Sequence, residues 1–228
     1  MHVRPHSVIA VIAAAVLAML SGCSLVVDDQ TDRPGGTVTV APDTPDDLRE
    51  DEQAAVQVTA NFWRTAFPEE FGGGYQPPVV VGGYIGENGP TCSGQQSVAF
   101  NAFYCPSEDF IAWDEALLAA GFEQIGDAWI YLIIAHEWAH AIQARLQREQ
   151  VSVAAELQAD CLAGATLIGA ARSGDLFFQA GDEEELEQTL IAVADEFPWT
   201  DERDHGNARE RIGAFQTGLQ NGVPACIA

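Results

Sequence analysis

The sequence contains no lysine, and its ten basic residues, all arginine, are outnumbered by 34 acidic residues, which gives a formal net charge of −24. A nucleic acid is therefore not expected as a partner, because phosphate binding requires a concentrated basic surface. The same composition argues against electrostatic attraction to anionic membranes. Without a lysine amine, Schiff-base catalysis by lysine is excluded.

The first 22 residues show the pattern of a targeting segment rather than of a folded domain. Arg4 supplies a positive start, an apolar run extends from Val8 to Leu20, and Leu20-Ser21-Gly22-Cys23 resembles a bacterial lipobox. We predict a lipoprotein signal peptide over residues 1–22, cleaved before Cys23, with lipid on the Cys23 thiol. A transmembrane helix is the alternative, but the apolar run is shorter than the ~20 residues that span a bilayer.

Residues 23–46 are polar, acidic and interrupted by proline and glycine, which predicts a flexible linker. The remaining residues, 47–228, are sufficient for one domain with a sizeable core. Together these segments predict a domain held by a lipid on the extracytoplasmic face of the cell membrane. The sequence does not define an oligomeric state.

Four cysteines remain once Cys23 is set aside, and an even number in an exported chain favours two disulfides. Three pairings are possible. We favour Cys92 with Cys105, which closes a short loop. We also favour Cys161 with Cys226, which ties the C-terminus to the predicted helix that carries Glu156 and Asp160. By the chain-entropy account, the longer link stabilises more, on the order of 4 kcal/mol.

Histidine is scarce, yet two of the three histidines beyond the signal segment lie in His136-Glu137-Trp138-Ala139-His140, within a long apolar run. In a helix, residues four apart are separated by about 40°, so both imidazoles project from one face and can share a zinc ion. Glu137 is turned roughly 100° away and can reach a water held by the metal. We therefore predict a catalytic metal site, with Asp127 as the N-cap of its helix.

A third ligand is predicted at Glu156, in Glu156-Leu157-Gln158-Ala159-Asp160, with fifteen residues between it and His140. This spacing allows one helix to end and a second to return against it, so that Glu156 faces the histidines. Asp160, one turn later, can accept the outer ring N–H of a ligand histidine. Two solvated acids at a helix start are the alternative. Imidazole and carboxylate ligands suit zinc, although also other divalent ions.

Two segments, residues 135–143 (AHEWAHAIQ) and 156–164 (ELQADCLAG), resemble the bacterial family of neutral zinc metallopeptidases. Further matches are Tyr104-Cys105-Pro106, and His205-Gly206 followed by Arg209 or Arg211, so the likeness covers roughly residues 84–226. The resemblance implies zinc bound by His136, His140 and Glu156, Glu137 as general base, and Asp160 as a partner of a ligand. Residues 101–103 and 111–113 are more distantly similar to membrane-anchored Glu-zincin proteases, in which such a strand lies along the cleft.

The predicted fold class is α+β: a mostly helical, zincin-like metallopeptidase domain with a small β-sheet beside the metal-binding helices. A first helix is expected from Asp46 or Asp47 to Ala66, ended by Pro68 and the following glycines. Strands are expected over residues 78–84, 96–104 and 109–113. The last of these is a candidate edge on which an extended peptide adds as a further strand. An ordinary core strand is the equally supported alternative.

These features predict a membrane-anchored zinc metalloendopeptidase that cleaves peptides or proteins, with Glu137 as the general base. A last helix is predicted over about residues 204–219. His205, near its start, is a candidate donor to the oxyanion, and a capping or surface histidine is the equally supported alternative. Two other functions stay open. One is a non-catalytic envelope lipoprotein that uses the metal helices as a scaffold, and the other is a zinc amidase acting on cell-wall peptides.

Overall fold

The computed structural model describes residues 45–148, 152–195 and 205–227. The predicted signal segment 1–22, Cys23 and the linker up to residue 44 lie outside the described residues. In chain order the elements are α1 Pro45–Phe71, β1 Val79–Tyr84, β2 Ala102–Cys105, β3 Phe110–Asp114, α2 Glu115–Gln124, α3 Ala128–Arg145, α4 Val153–Ser173, α5 Asp182–Ala192, α6 Ala208–Asn221 and α7 Val223–Ile227. This arrangement confirms the predicted fold class.

Helix α3 forms the centre of the domain. Its side chains are buried on all sides, including Trp138 and Ile142, because α1, α2, α4 and α5 pack around it. An apolar helix without a polar face is stable only in such an interior position. Among the described residues, no helix combines the length and apolar character needed to cross a bilayer.

The start of α3 is capped differently from the prediction. Asp127 occupies the N-cap position but has helical backbone angles, φ −68° and ψ −30°, and its side chain makes no capping hydrogen bond. A capping side chain requires a more extended backbone at this position. Instead, the backbone N–H of Ala128 donates to Oε2 of Glu185 on α5, at 3.3 Å. The prediction that Asp127 caps this helix was therefore wrong.

Helices α4 and α6 cross at two glycines. A Cβ atom built on Gly218 would lie 1.8 Å from the carbonyl oxygen of Cys161, and one on Gly164 would lie 2.3 Å from the carbonyl oxygen of Phe215. The two helix backbones are thus in direct contact, which no larger residue at these positions would allow. This close crossing brings the first turns of α6 over the part of α4 that carries the predicted metal residues.

The sheet has the strand order β1-β3-β2, so β3 is its central strand. It pairs in parallel with β1 and antiparallel with β2. Of the two alternatives for residues 109–113, the structure therefore shows the core strand and rules out the edge strand, because both sides of β3 are already paired. The predicted strand over 96–104 is also shorter than expected, since residues 96–101 are not in a strand and β2 begins at Ala102.

Helix α1 continues one turn further than predicted, through Pro68 to Phe71. Pro68 lacks an N–H donor, but its carbonyl oxygen still accepts a hydrogen bond from Gly72 N at 3.0 Å. The rings of Phe67, Phe71 and Tyr75 pack together around this last turn, with the Phe67 ring centroid about 5 Å from each of the other two. Aromatic packing therefore stabilises a turn that the proline was expected to prevent.

Both favoured cysteine pairings are present in the structure. Cys92 is bonded to Cys105, which ties the loop before β2 to the end of that strand. Cys161 is bonded to Cys226, which ties the short helix α7 to α4 across 65 residues of sequence. The first disulfide thus fixes the loop before β2, and the second fixes the C-terminal helix α7 against α4, the helix that carries Glu156.

Candidate metal centre

Three potential metal ligands converge at the packed faces of α3 and α4. His136 and His140 lie one turn apart on α3, and their Nε2 atoms are 3.2 Å from each other. Glu156, in the first turn of α4, places Oε2 3.1 Å from His136 Nε2 and Oε1 3.5 Å from His140 Nε2. The ligand atoms of all three groups lie within 4.8 Å of one another. The structure therefore brings together the residues that the sequence predicted as ligands.

The opposite ring nitrogen of each histidine has its own partner. His136 Nδ1 lies 2.9 Å from Asp160 Oδ1, and His140 Nδ1 lies 2.9 Å from Gln143 Oε1. With protons on both Nδ1 atoms, the two Nε2 lone pairs and the Glu156 carboxylate all point into one small space. Three acceptors at this distance repel one another unless a cation lies between them. Two imidazoles, one carboxylate and an open side fit a catalytic zinc ion.

The electrostatics of the centre also favour a positive charge. Burial of His136 would lower its pKa, but the contacts with Asp160 and Glu156 outweigh burial and raise it to about 10. For Glu156, burial would raise the pKa, but hydrogen bonds and attraction from the two histidines hold it below its ordinary value. A proton or a metal ion is thus strongly favoured between these side chains.

Asp160 is held by Arg211. The family resemblance left open whether Arg209 or Arg211 is the arginine that follows His205-Gly206 in the motif. Arg211 Nε donates to Asp160 Oδ2 and Nη2 donates to Oδ1, both at 2.8 Å, while Nη1 donates to the carbonyl oxygen of Val193 at 2.7 Å. Both charged side chains are almost fully buried. Burial would raise the pKa of Asp160, but Arg211 and then His136 lower it, so the carboxylate stays ionised.

Glu137 lies on the helix beside the ligands and faces the cleft. Its residue is 9% exposed, and its side chain contributes to the cleft wall together with both histidines. Within the part of the chain that the structure describes, the Glu137 carboxylate forms no hydrogen bond or ion pair. A nearly buried carboxylate that has no partner among the described residues is available to exchange a proton with a small molecule in the cleft.

His205 lines the same cleft, with a side chain that is 55% exposed. Its position is fixed by Asp195, whose Oδ2 accepts hydrogen bonds from the backbone N–H groups of His205, at 2.5 Å, and Gly206, at 3.0 Å. The His205 ring Nδ1 is 3.7 Å from Asp195 Oδ1. The imidazole is therefore at the cleft rim rather than among the metal ligands.

The cleft has a volume of about 490 Å³. One wall is the stretch from Phe100 to Tyr104, which contains the outer edge of β2. Apolar side chains next to the histidines form another wall: Leu117, Leu132, Ile133 and Val193. The cleft thus combines β2, an edge strand of the described sheet, with an apolar surface and the candidate ligands.

Sequence reasoning missed two residues that contact predicted site residues: Gln143, which contacts His140, and Asp195, which contacts His205. Gln143 is three positions after His140, and this helical spacing alone predicts contact between the two side chains. Asp195 is separated from His205 by residues 196–204, which the structure does not describe, and no spacing rule connects the two. Only the folded arrangement shows that Asp195 holds the backbone that carries His205.

Comparison with known proteins identifies the family of the chain. The family model described as "Putative neutral zinc metallopeptidase" matches residues 6–228. The chain is also similar to the uncharacterized protein YpfJ of Escherichia coli, in strains K12 and CFT073, with 30% identity over 198 residues in each case. This similarity covers 73% of this chain and 66% of each relative, so the chain spans just under two thirds of the relatives' length.

No solved structure is significantly similar to the chain. The family match nevertheless spans nearly the whole sequence, including every residue that forms the candidate centre. Zinc is the metal that the family implies, and the group formed by His136, His140 and Glu156 is able to hold it. The chain therefore belongs to the family of neutral zinc metallopeptidases.

Proposed function

We propose that this chain hydrolyses peptide bonds with His136, His140 and Glu156 as zinc ligands and Glu137 as the general base. The observation that carries the proposal is the nearly buried Glu137 carboxylate, which lines the cleft together with the three converging ligands and forms no hydrogen bond or ion pair with the described residues. When bound, zinc supplies a Lewis acid that polarises a carbonyl group and lowers the pKa of water towards about 7.

Glu137 then has a defined task. Its carboxylate takes a proton from the attacking water and delivers that proton to the leaving amine nitrogen. His205, at the cleft rim, donates a hydrogen bond to the oxygen that gains negative charge during the attack. Asp160 keeps His136 in the orientation that directs Nε2 into the cleft, and Arg211 holds Asp160.

The substrate that best fits the cleft is an extended peptide. Among the described strands β2 is an edge strand that pairs only with β3, and residues 100–104, which include most of β2, line the cleft. Extended peptides add to such an edge through main-chain hydrogen bonds, which recognise a peptide backbone whatever its sequence. The apolar wall beside the histidines favours apolar side chains next to the scissile bond.

The test is hydrolysis of an unfolded protein substrate by the zinc-loaded full chain and by its Glu137→Gln variant. We expect wild type to cleave the substrate, a chelator to abolish cleavage, and added zinc to restore it. Glu137→Gln should bind zinc equally well and lose at least about 100-fold in rate. Full activity in that variant would refute the role of Glu137. Cleavage of peptidoglycan fragments but not of peptides would replace the peptidase with a cell-wall amidase.

We further propose that the domain is anchored outside the cytoplasmic membrane by lipid on Cys23. The lipobox-like residues Leu20 to Cys23 support this, and two disulfides are typical of an exported protein. The experiment is metabolic labelling with a fatty-acid analogue in a bacterial host. Wild type should carry the label in the membrane fraction, and Cys23→Ser should not. Equal labelling of both would exclude Cys23 as the anchor.

A further inference from the structure

Gln143 is fully buried, at 0% exposure, and its amide group connects the two metal-binding helices. Its Oε1 lies 2.9 Å from His140 Nδ1 on its own helix, α3. Its Nε2 donates to the carbonyl oxygen of Ala155, on α4, at 2.7 Å and to Gln158 Oε1 at 3.2 Å. Ala155 immediately precedes Glu156. The Gln143 side chain therefore contacts one proposed ligand, His140, and the backbone next to a second proposed ligand, Glu156.

These contacts fix the orientation of the amide. The carbonyl oxygen of Ala155 can only accept a hydrogen bond, so the Gln143 atom facing it must be the NH2 group. The atom that faces His140 is consequently the Gln143 carbonyl oxygen, which also can only accept. His140 must therefore carry its proton on Nδ1, and its Nε2 lone pair is directed towards His136 and Glu156.

We infer that Gln143 is a positioning residue of the metal centre, which sets the tautomer of His140 and fixes the separation between His140 and Glu156. The inference rests on the proposed role of His140 and Glu156 as ligands. Outer hydrogen bonds of this kind orient ligand rings, and their loss typically costs 10- to 100-fold in metal affinity.

The two histidines thus receive different kinds of support. His136 has a carboxylate partner, Asp160, whose charge is balanced by Arg211. His140 has a neutral amide partner, and the Gln143 side chain contacts His140, the carbonyl oxygen of Ala155 and Gln158. A carboxylate at position 143 would therefore add a buried negative charge, and it would face the carbonyl oxygen of Ala155.

The first test compares Gln143→Met with Thr166→Val in the full chain. Thr166 is a suitable control because it is buried on α4 and its hydroxyl donates within that helix, to Leu162 O at 2.7 Å, without touching the site. We expect Gln143→Met to weaken zinc binding at least tenfold by chelator competition. Thr166→Val should stay within about twofold of wild type, since it disturbs only helix packing. Equal, small changes in both variants would overturn the inference.

A second measurement follows the imidazole proton itself, with 15N-labelled histidine in the zinc-loaded full chain. The Nδ1–H of His140 should exchange slowly with water in wild type and in Gln143→Glu, which retains an acceptor for it. Gln143→Glu should nonetheless unfold more easily, because its carboxylate replaces the donor to Ala155 O. If Gln143→Met does not fold, Gln143→Glu decides: rapid exchange of this proton in Gln143→Glu would contradict the inference.

The outcome is separable from that of the proposed function. Zinc affinity and proton exchange are measured without a substrate, so a zinc-binding chain that cleaves no peptide would refute the peptidase and leave Gln143 as the residue that positions His140. A chain whose His140→Ala variant binds zinc as tightly as wild type would refute the ligand role, and the inference about Gln143 with it.

Discussion

The Nδ1 atom of His136 lies 2.9 Å from Oδ1 of Asp160, while Nε2 of the same ring lies 3.1 Å from Oε2 of Glu156. The imidazole is thus held between two carboxylates of α4, one turn apart. Because Asp160 is also held by Arg211 on α6, the orientation of the His136 ring depends on the packing of three helices. The α4–α6 crossing at Gly164 and Gly218 is what makes this arrangement possible.

The first prediction concerns Asp160. Asp160→Asn preserves the size of the side chain but removes the charge that orients His136 and balances Arg211. We expect zinc affinity to fall 10- to 100-fold, and the free energy of unfolding to fall by about 3 kcal/mol because Arg211 remains buried without its counter-ion. Chelator competition and urea unfolding measure the two effects. Asp175→Asn, at an exposed position after α4, is the matched control and should change neither. Unchanged zinc affinity in Asp160→Asn would contradict the role of this contact.

The second prediction concerns His205. Its ring is at the cleft rim and outside the ligand group, so His205→Ala should leave zinc content unchanged. Loss of a hydrogen-bond donor to the developing oxyanion should lower kcat by roughly 100-fold with little change in KM. Steady-state kinetics on a peptide substrate measure both constants. Arg209→Ala, exposed on the first turn of α6, should retain full activity. Equal kinetics in His205→Ala and wild type would leave His205 as a surface residue.

The third prediction concerns the outer edge of β2. If a peptide substrate pairs with this edge, its backbone N–H groups face β2 at every second residue. N-methylation of one residue at a time along a cleaved peptide should therefore slow cleavage in an alternating pattern. Methylation at the intervening positions serves as the internal control, since those N–H groups point away from β2. A uniform effect along the peptide, or none, would rule out strand addition.

The fourth prediction concerns the pH dependence of stability. Asp114 is 2% exposed and accepts hydrogen bonds from the backbone N–H groups of Phe100, at 2.5 Å, Ala116, at 3.0 Å, and Gly86, at 3.4 Å. Burial would raise its pKa, but these three donors lower it below the ordinary value of 3.8. The ionised carboxylate therefore contributes stability above pH 3.8, and that contribution is lost as the pH falls through the lower folded-state pKa.

Urea unfolding of wild type and Asp114→Asn between pH 7 and strong acid measures this contribution. At neutral pH the variant should be less stable by about 2 kcal/mol, because an amide cannot accept all three hydrogen bonds equally well. The difference should shrink as Asp114 becomes protonated in wild type. Glu69→Gln, at an exposed position on α1, changes the net charge equally and should show no such difference. If the difference in unfolding free energy between wild type and Asp114→Asn stays constant down to strong acid, the proposed contribution of the ionised Asp114 is refuted.

Much of the candidate centre is encoded in local spacing. The four-residue separation of His136 and His140 and the helical period of Glu156 and Asp160 suffice to place each pair on one helix face, and the structure brings both pairs together. Gln143 and His140, three residues apart on α3, are likewise placed on one helix face. These contacts depend on helix geometry, which is the same in every fold.

The remaining features depend on tertiary packing, which local spacing does not determine. The cap of α3 comes from Glu185, 57 residues after Ala128, because the packing of α5 takes the place of local capping by Asp127. The position of β3 at the centre of the sheet depends on parallel pairing with β1, whose register is not set by any short turn. Arg211 could be distinguished from Arg209 only once the crossing of α4 and α6 was known.

The most direct test of the central claim is the zinc content of the purified full chain, measured by elemental mass spectrometry alongside Glu156→Ala and Glu137→Gln. We expect about one zinc ion per chain in wild type and in Glu137→Gln, and much less in Glu156→Ala, because three protein ligands hold a catalytic zinc ion. Folding of each variant is checked by its urea unfolding transition. A correctly folded wild-type chain that retains no zinc when supplied with it would contradict the account, as would a Glu156→Ala variant that binds zinc as tightly as wild type.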